Sequence, residues 1–136
     1  MGLIVDTNVF IRFERLKETV DFARWEELGE VFISAITVSE LLVGVHRATT
    51  PEVRAKRAAF VEAIISRIPA IAFTTDVARV HAEIFAELAR QGMPIGAHDL
   101  LIAATGLALG YPVMTGNVAE FARVPGLRVV NPFSAE

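Results

Sequence analysis

The chain has 136 residues, the size of one compact domain with a single buried core. Its 53% hydrophobic and 21% charged residues exclude a disordered tail, and the absence of cysteine excludes disulfides and thiolate metal sites. A net charge of −3 lacks the basic balance usual in nucleic-acid binders, although eleven of the thirteen basic residues are Arg, the side chain suited to forked phosphate contacts.

The run at 3–5 ("LIV") reads as a strand and ends in a carboxylate, Asp6. Helical sequence follows to about residue 29, then a second strand at 31–34 and a helix at 37–48. Thr50-Pro51 opens a long amphipathic helix reaching about residue 67. A third strand at 70–73 precedes a helix over 75–90 that stops at Gln91-Gly92. The segment 97–110 is a helix apolar nearly all round, hence buried. The last strands are predicted at 112–115 and 128–130, with a short helix near 117–122 between them. Mean hydropathy is +0.47, yet no apolar stretch approaches the roughly 20 residues that span a bilayer. The opening lacks a basic segment and a cleavage site, which predicts no signal peptide and a cytoplasmic protein.

Short apolar strands separated by helices predict one α/β domain over 1–136. Its central, mostly parallel sheet of about five short strands is covered by helices on both faces. Ligands of such sheets bind outside the carboxyl ends of the strands, near a switch in strand order. Asp6, Glu40 and Asn117 each follow a strand and should share that edge; Asp99 follows another helix and is not placed by the rule. Each has an ordinary explanation. Asp6 and Asp99 suit helix N-termini. Thr37-Val38-Ser39-Glu40 fits a capping box in which Glu40 reaches back to the Thr37 backbone. Asn117, after Thr115-Gly116, suits a turn or cap. Capping alone does not predict acids gathered at one edge. Clustered carboxylates must protonate, pair with bases or bind cations, and an oxygen-only set suits Mg²⁺ or Mn²⁺.

Three stretches, "LIVDTNVFI", "ISAITVSELLVGV" and "GAHDLLIAATGLALGYPVMTGNVAEF", resemble a PIN domain and specifically the VapC-like ribonuclease toxins of bacterial toxin–antitoxin pairs. They stand in the family's order and spacing across essentially the whole chain. The resemblance implies a metal-dependent endoribonuclease in which Asp6, Glu40 and Asp99 bind Mg²⁺, with Mn²⁺ as a substitute. Its fourth position falls on Asn117, a neutral amide where the family often has Asp. Glu120 is either a water-mediated contributor or a solvated helix residue. Thr7 and Thr115 correspond to residues that support the acids, and Asn8 lies beside them.

The implied reaction is hydrolysis of an RNA phosphodiester by metal-activated water, leaving a 5′-phosphate and a 3′-hydroxyl. Candidate RNA contacts are Arg12, Arg15, Lys17, Arg47 and Arg123, each of which also suits a solvated helix face. The resemblance further implies a small cognate antitoxin and a homodimer, with Phe10, Phe13, Trp25, Leu42 and Val45 as candidates for an apolar groove. Other classes fit less well. A haloacid dehalogenase-like phosphotransferase wants a second acid at position 8, where Asn8 stands. A receiver module wants paired early acids and a later strand-end lysine. A dinucleotide-binding fold wants a glycine-rich loop after the first strand. A PIN fold that binds RNA or a partner without cutting is the remaining alternative.

Overall fold

A computed structural model of the chain describes residues 1–133. The opening run forms β1 (Gly2–Val5), with every residue buried. After Asp6 comes α1 (Thr7–Leu16), which stops at Lys17, a residue in the left-handed region with φ of 56°. Lys17 N–H donates to Glu14 O at 3.1 Å and Glu18 N–H to Phe13 O at 3.0 Å, the two bonds of a Schellman stop. The predicted helix to about residue 29 is therefore corrected. Lysine occupies the position where glycine would have announced the end, so the sequence hides it. A 3-10 segment (Ala23–Leu28) leads into β2 (Glu30–Ser34).

The remaining elements are α2 (Ala35–His46), α3 (Pro51–Arg67), β3 (Ala70–Ile71), α4 (Thr75–Arg90), α5 (Ala97–Leu109), β4 (Val113–Met114), α6 (Val118–Phe121) and β5 (Val129–Val130). Thr50 and Thr74 cap α3 and α4, accepting from Val53 and Val77 N–H at 3.1 and 3.3 Å. No helix among the described residues is long and apolar enough to cross a membrane.

The five strands pair in the order β3-β2-β1-β4-β5, every pairing parallel. Side chains alternate between two cores, as the strand period requires. Leu3 and Val5 of β1 join Val9, Phe10, Leu41 and Val61 from α1, α2 and α3 on one face. Ile4 joins Ile84, Leu88, Ile102 and Ala103 from α4 and α5 on the other. The predicted sheet covered on both faces is what the chain forms. Phe10, Phe13 and Val45, candidates for an open groove, are buried in the first core, and Trp25 and Leu42 pack against it.

From β1 the chain moves outward to β2 and β3, then crosses back to β4 on the other side of β1. The switch in strand order lies between β1 and β4, where such sheets form their crevice. α5 is held close to this point through Gly106. A Cβ there would lie 2.7 Å from Val113 Cγ2 and 3.0 Å from Tyr111 O, so only glycine lets α5 seat against β4.

Candidate active site

Asp6 sits at the carboxyl edge of the switch. Its N–H donates to Met114 O at 2.8 Å, which carries the β1–β4 pairing one residue further and sets Asp6 beside Thr115. The side chain is only 2% exposed. Oδ1 accepts from Thr7 N–H and Oδ2 from the Thr115 hydroxyl, both at 2.8 Å. Asp6 is thus a helix cap and a buried acid at once. The Thr115 hydroxyl itself accepts from Asn117 N–H at 2.9 Å and Asn8 Nδ2 at 3.4 Å, which commits its single proton to Asp6. Burial pushes the Asp6 carboxyl up to about 7; the Thr115 hydroxyl opposes this, and the charges of Asp99 and Glu40 add to it.

Glu40 enters from α2. The capping-box reading is overturned here, because Ser34 caps the helix, its Oγ accepting from Ile36 N–H at 3.1 Å. The helix begins at Ala35, two residues before the expected start, and Thr37 becomes an interior residue with no exposure. Its hydroxyl lies 3.0 Å from that of Thr7, which donates to Glu40 Oε1 at 2.6 Å. Glu40 therefore reaches across to α1 rather than back to its own helix start. Its other oxygen meets His98 Nδ1 at 3.1 Å.

Asp99 lies in the first turn of α5 and is half-buried. Burial raises its carboxyl, and the charges of Glu120 and Glu40 raise it further; Asn117 and His98 oppose the shift. Asn117 Nδ2 is 3.4 Å from Asp99 Oδ2 and 2.6 Å from Glu120 Oε2. Although Asn117 stands at the N-cap position of α6, its side chain makes no cap bond. Glu120 accepts from the N–H of Gly96, the N-cap residue of α5, with its other carboxylate oxygen. That bond first, and Asn117 second, lower the Glu120 carboxyl. Glu120 thus has a second role beside that of a solvated helix residue: it ties α6 to the end of α5 that carries Asp99.

The basic candidates divide. Arg12 stacks over Phe133, 4.1 Å from the ring centroid, and Arg15 lines cavities on both sides of α1. Arg123 Nη1 donates to Pro94 O at 2.7 Å and braces the loop before α5. Arg47 follows the far end of α2, about 10 Å along the axis from Glu40 at 1.5 Å per residue. Lys17 is the α1 stop. Thr37, His98 and Phe133 contribute contacts that sequence reasoning missed. For Thr37 the signal was present three residues before Glu40, but it was read as a cap.

Among the described residues, no three His, Cys, Asp or Glu side chains converge tightly enough to hold one ion. The donor chemistry nevertheless fits a hard cation. The cluster is oxygen-rich, and Asp6 and Asp99 each carry carboxyls raised by burial and by neighbouring acids, a cost that bound positive charge offsets. Glu40 Oε2 is engaged only at its exposed contact with His98, which can be exchanged for an ion.

The family pattern described as "PIN domain" matches residues 3–127. The chain belongs to the PIN-domain family. Within that family it is similar to Ribonuclease VapC1 of Rickettsia felis, with 39% identity over 136 residues and full coverage of both chains. It is likewise similar to the tRNA(fMet)-specific endonuclease VapC of Salmonella typhimurium, with 40% identity over 134 residues covering 95% of this chain and 96% of that one. Among solved structures, a DNA-bound VapBC from Salmonella typhimurium superposes with a TM-score of 0.84 at 34% identity, over 96% of this PIN domain and 98% of the matched chain. The PIN domain described here therefore groups with the VapC ribonucleases.

Proposed function

We propose that this PIN domain is a metal-dependent endoribonuclease acting as the toxin of a toxin–antitoxin pair. The observation that carries the reading is the hydrogen-bond network that links Asp6, Glu40 and Asp99, from three separate segments, at the β1–β4 switch: Thr7 joins Asp6 to Glu40, and Thr115 with Asn117 joins Asp6 to Asp99. The VapC names of relatives that align along nearly the whole chain support the same activity.

Mg²⁺, or Mn²⁺ in its place, would be held by Asp6, Asp99 and Glu40, and would supply a Lewis acid for the phosphate and a more acidic bound water. The chain's own residues prepare that arrangement. Thr115 and the Thr7 N–H aim the Asp6 carboxylate, and the Thr7 hydroxyl aims Glu40. Asn117 and Glu120 steady Asp99 by holding its side chain and the end of its helix. A neutral amide at 117 leaves the fourth position weaker than a carboxylate would. This feature also favours the second reading, a PIN fold that binds RNA without cutting it.

The VapBC likeness supports a small antitoxin partner. A cavity of about 380 Å³ between α1, α2 and α3, lined by Ile11, Arg15, Glu40, Leu41 and Phe60 among others, opens beside Glu40, and an occupant there would obstruct the acids. A homodimer in the cytoplasm completes the proposal. The test is cleavage of initiator tRNA and of a mixed tRNA and rRNA pool by antitoxin-free protein with Mg²⁺, Mn²⁺ or EDTA, beside Asp99→Ala purified identically. Discrete products that need both metal and Asp99 are expected. RNA gel shifts without products, from folded and metal-loaded protein, would select the non-cutting reading.

A further inference from the structure

A second recognition surface adjoins the carboxylates. Thr115 N–H donates to Val130 O at 2.9 Å, so the chain leaves β5 close to Gly116. Asn131 Oδ1 then accepts from Phe133 N–H at 2.9 Å, and Pro132 between them is buried. This tight turn presents the Phe133 ring half-exposed. The ring lies against Gly116, where an added Cβ would stand 3.3 Å from its edge carbons, and tilts against Phe13 with centroids 6.4 Å apart. The Arg12 guanidinium covers it at 4.1 Å.

Asn8, Ile11, Arg12, Arg15, Gly116 and Phe133 enclose a cavity of about 250 Å³ here. Two arginines and no acid line it, in a chain whose net charge is −3. The neighbouring cavity across α1 is of mixed charge, with Glu14 and Glu40 beside Arg15 and Arg57. The cavity is also coupled to the acids. Asn8 accepts from Gly116 N–H at 3.2 Å and contacts the Thr115 hydroxyl that holds Asp6.

Resting on the ribonuclease reading, we propose that Phe133 and Arg12 form a stacking platform for one unpaired RNA base beside the phosphate to be cut, with Arg15 contacting the backbone. Unpaired bases are read by stacking on aromatic rings and guanidinium planes. Every base has such a face, so the platform selects unpaired, unstacked RNA more than it selects one nucleobase. A base inside a duplex is withheld from it.

The experiment compares kcat/KM for a mapped single-stranded RNA and for the same RNA with an abasic nucleotide beside the cut. Parent protein is expected to lose about 5- to 150-fold on the abasic RNA, the range of one base stack. Phe133→Leu loses the same factor on intact RNA and nothing more on the abasic one, whereas Phe133→Tyr behaves as the parent. Arg12→Gln follows the leucine pattern with a smaller loss. In EDTA, 2-aminopurine at that nucleotide is quenched by parent and by Phe133→Tyr but not by Phe133→Leu. Equal discrimination against the abasic RNA by Phe133→Leu and parent overturns the platform. Weakened antitoxin binding in Phe133→Leu with unchanged discrimination would assign the cavity to the protein partner instead. Quenching without metal-dependent cleavage by the parent would remove the ribonuclease reading and keep the platform.

Discussion

Asp6→Asn tests the electrostatics of the site without any substrate. The Asp6 carboxyl moves from an ordinary 3.8 to about 7 on folding. Well below pH 4 both folded and unfolded chains carry the proton, and burial of the acid adds no charge penalty. Between pH 4 and 7 the unfolded chain releases its proton first, so folding stability falls as pH rises, and above 7 the full penalty is present. A shift of about three units corresponds to about 4 kcal/mol. The asparagine keeps an acceptor for Thr7 N–H but strands the Thr115 hydroxyl, which already accepts two bonds, at a cost of about 1–2 kcal/mol at every pH. The variant should therefore gain about 2–3 kcal/mol over the parent at pH 8 and lose about 0.5–1.5 kcal/mol at pH 4. For a chain of this length that is about 7–10 °C upward in Tm at pH 8 and about 2–5 °C downward at pH 4. Differential scanning calorimetry in EDTA measures both, and pairing the proteins at each pH cancels the other titrating groups. An offset of the same sign and size at both pH values would refute the buried, charge-penalised acid. Added Mg²⁺ should raise the parent's Tm and leave the variant's nearly unchanged.

Asp99→Ala should lower RNA cleavage by about 100-fold or more while circular dichroism stays that of the parent and the melting temperature in EDTA holds or rises, since a carboxyl raised by burial and neighbouring acids is lost; comparable cleavage would dismiss the site. Glu40→Gln keeps an acceptor for the Thr7 hydroxyl, so its Tm should move by less than about 1 kcal/mol in stability terms while cleavage collapses. A large fall in Tm with activity retained would make Glu40 a structural residue. Asn117→Asp adds a third carboxylate beside Asp99 and Glu120, so the EDTA melting temperature should drop and the Mn²⁺-induced rise should exceed the parent's. An unchanged Mn²⁺ response would exclude a ligand at 117. Gly106→Ala should cost about 1–3 kcal/mol by forcing α5 off β4, and should slow cleavage through displaced Asp99. Full activity in that variant would mean that the seating of α5 does not position the acid.

The architecture was legible because apolar runs and helix starts recur in a simple alternation, and Thr50-Pro51 marks its helix as capping chemistry predicts. Asp6 was legible for a related reason, since an acid ending a buried strand has few ordinary uses beyond a cap. What stayed hidden lies between segments distant in sequence. The Thr7–Glu40 bond spans 33 positions and the Thr115–Asp6 bond 109, and no local pattern encodes either. Thr37 shows how a local motif misleads: its spacing to Glu40 satisfied a capping box, yet Ser34 started the helix earlier. The end of α1 was invisible for the opposite reason, an ordinary lysine in a left-handed position. Phe133 had no signal, because its meaning depends on β5 delivering it beside Gly116.

The first strand occupies the centre of the sheet, and its second neighbour, β4, comes from the last quarter of the chain. During synthesis Asp6 thus leaves the ribosome 109 residues ahead of the threonine that orients it. At common translation rates that interval is about 5 to 20 seconds. Throughout it the nascent chain lacks the β4 side of the crevice, along with Asn117 and Glu120. A chain that stalls or is cut short before residue 113 cannot assemble the cleft at all. The strand order therefore acts as a built-in delay: the cleft can close only once β4 and the residues behind it have followed β1 out of the ribosome.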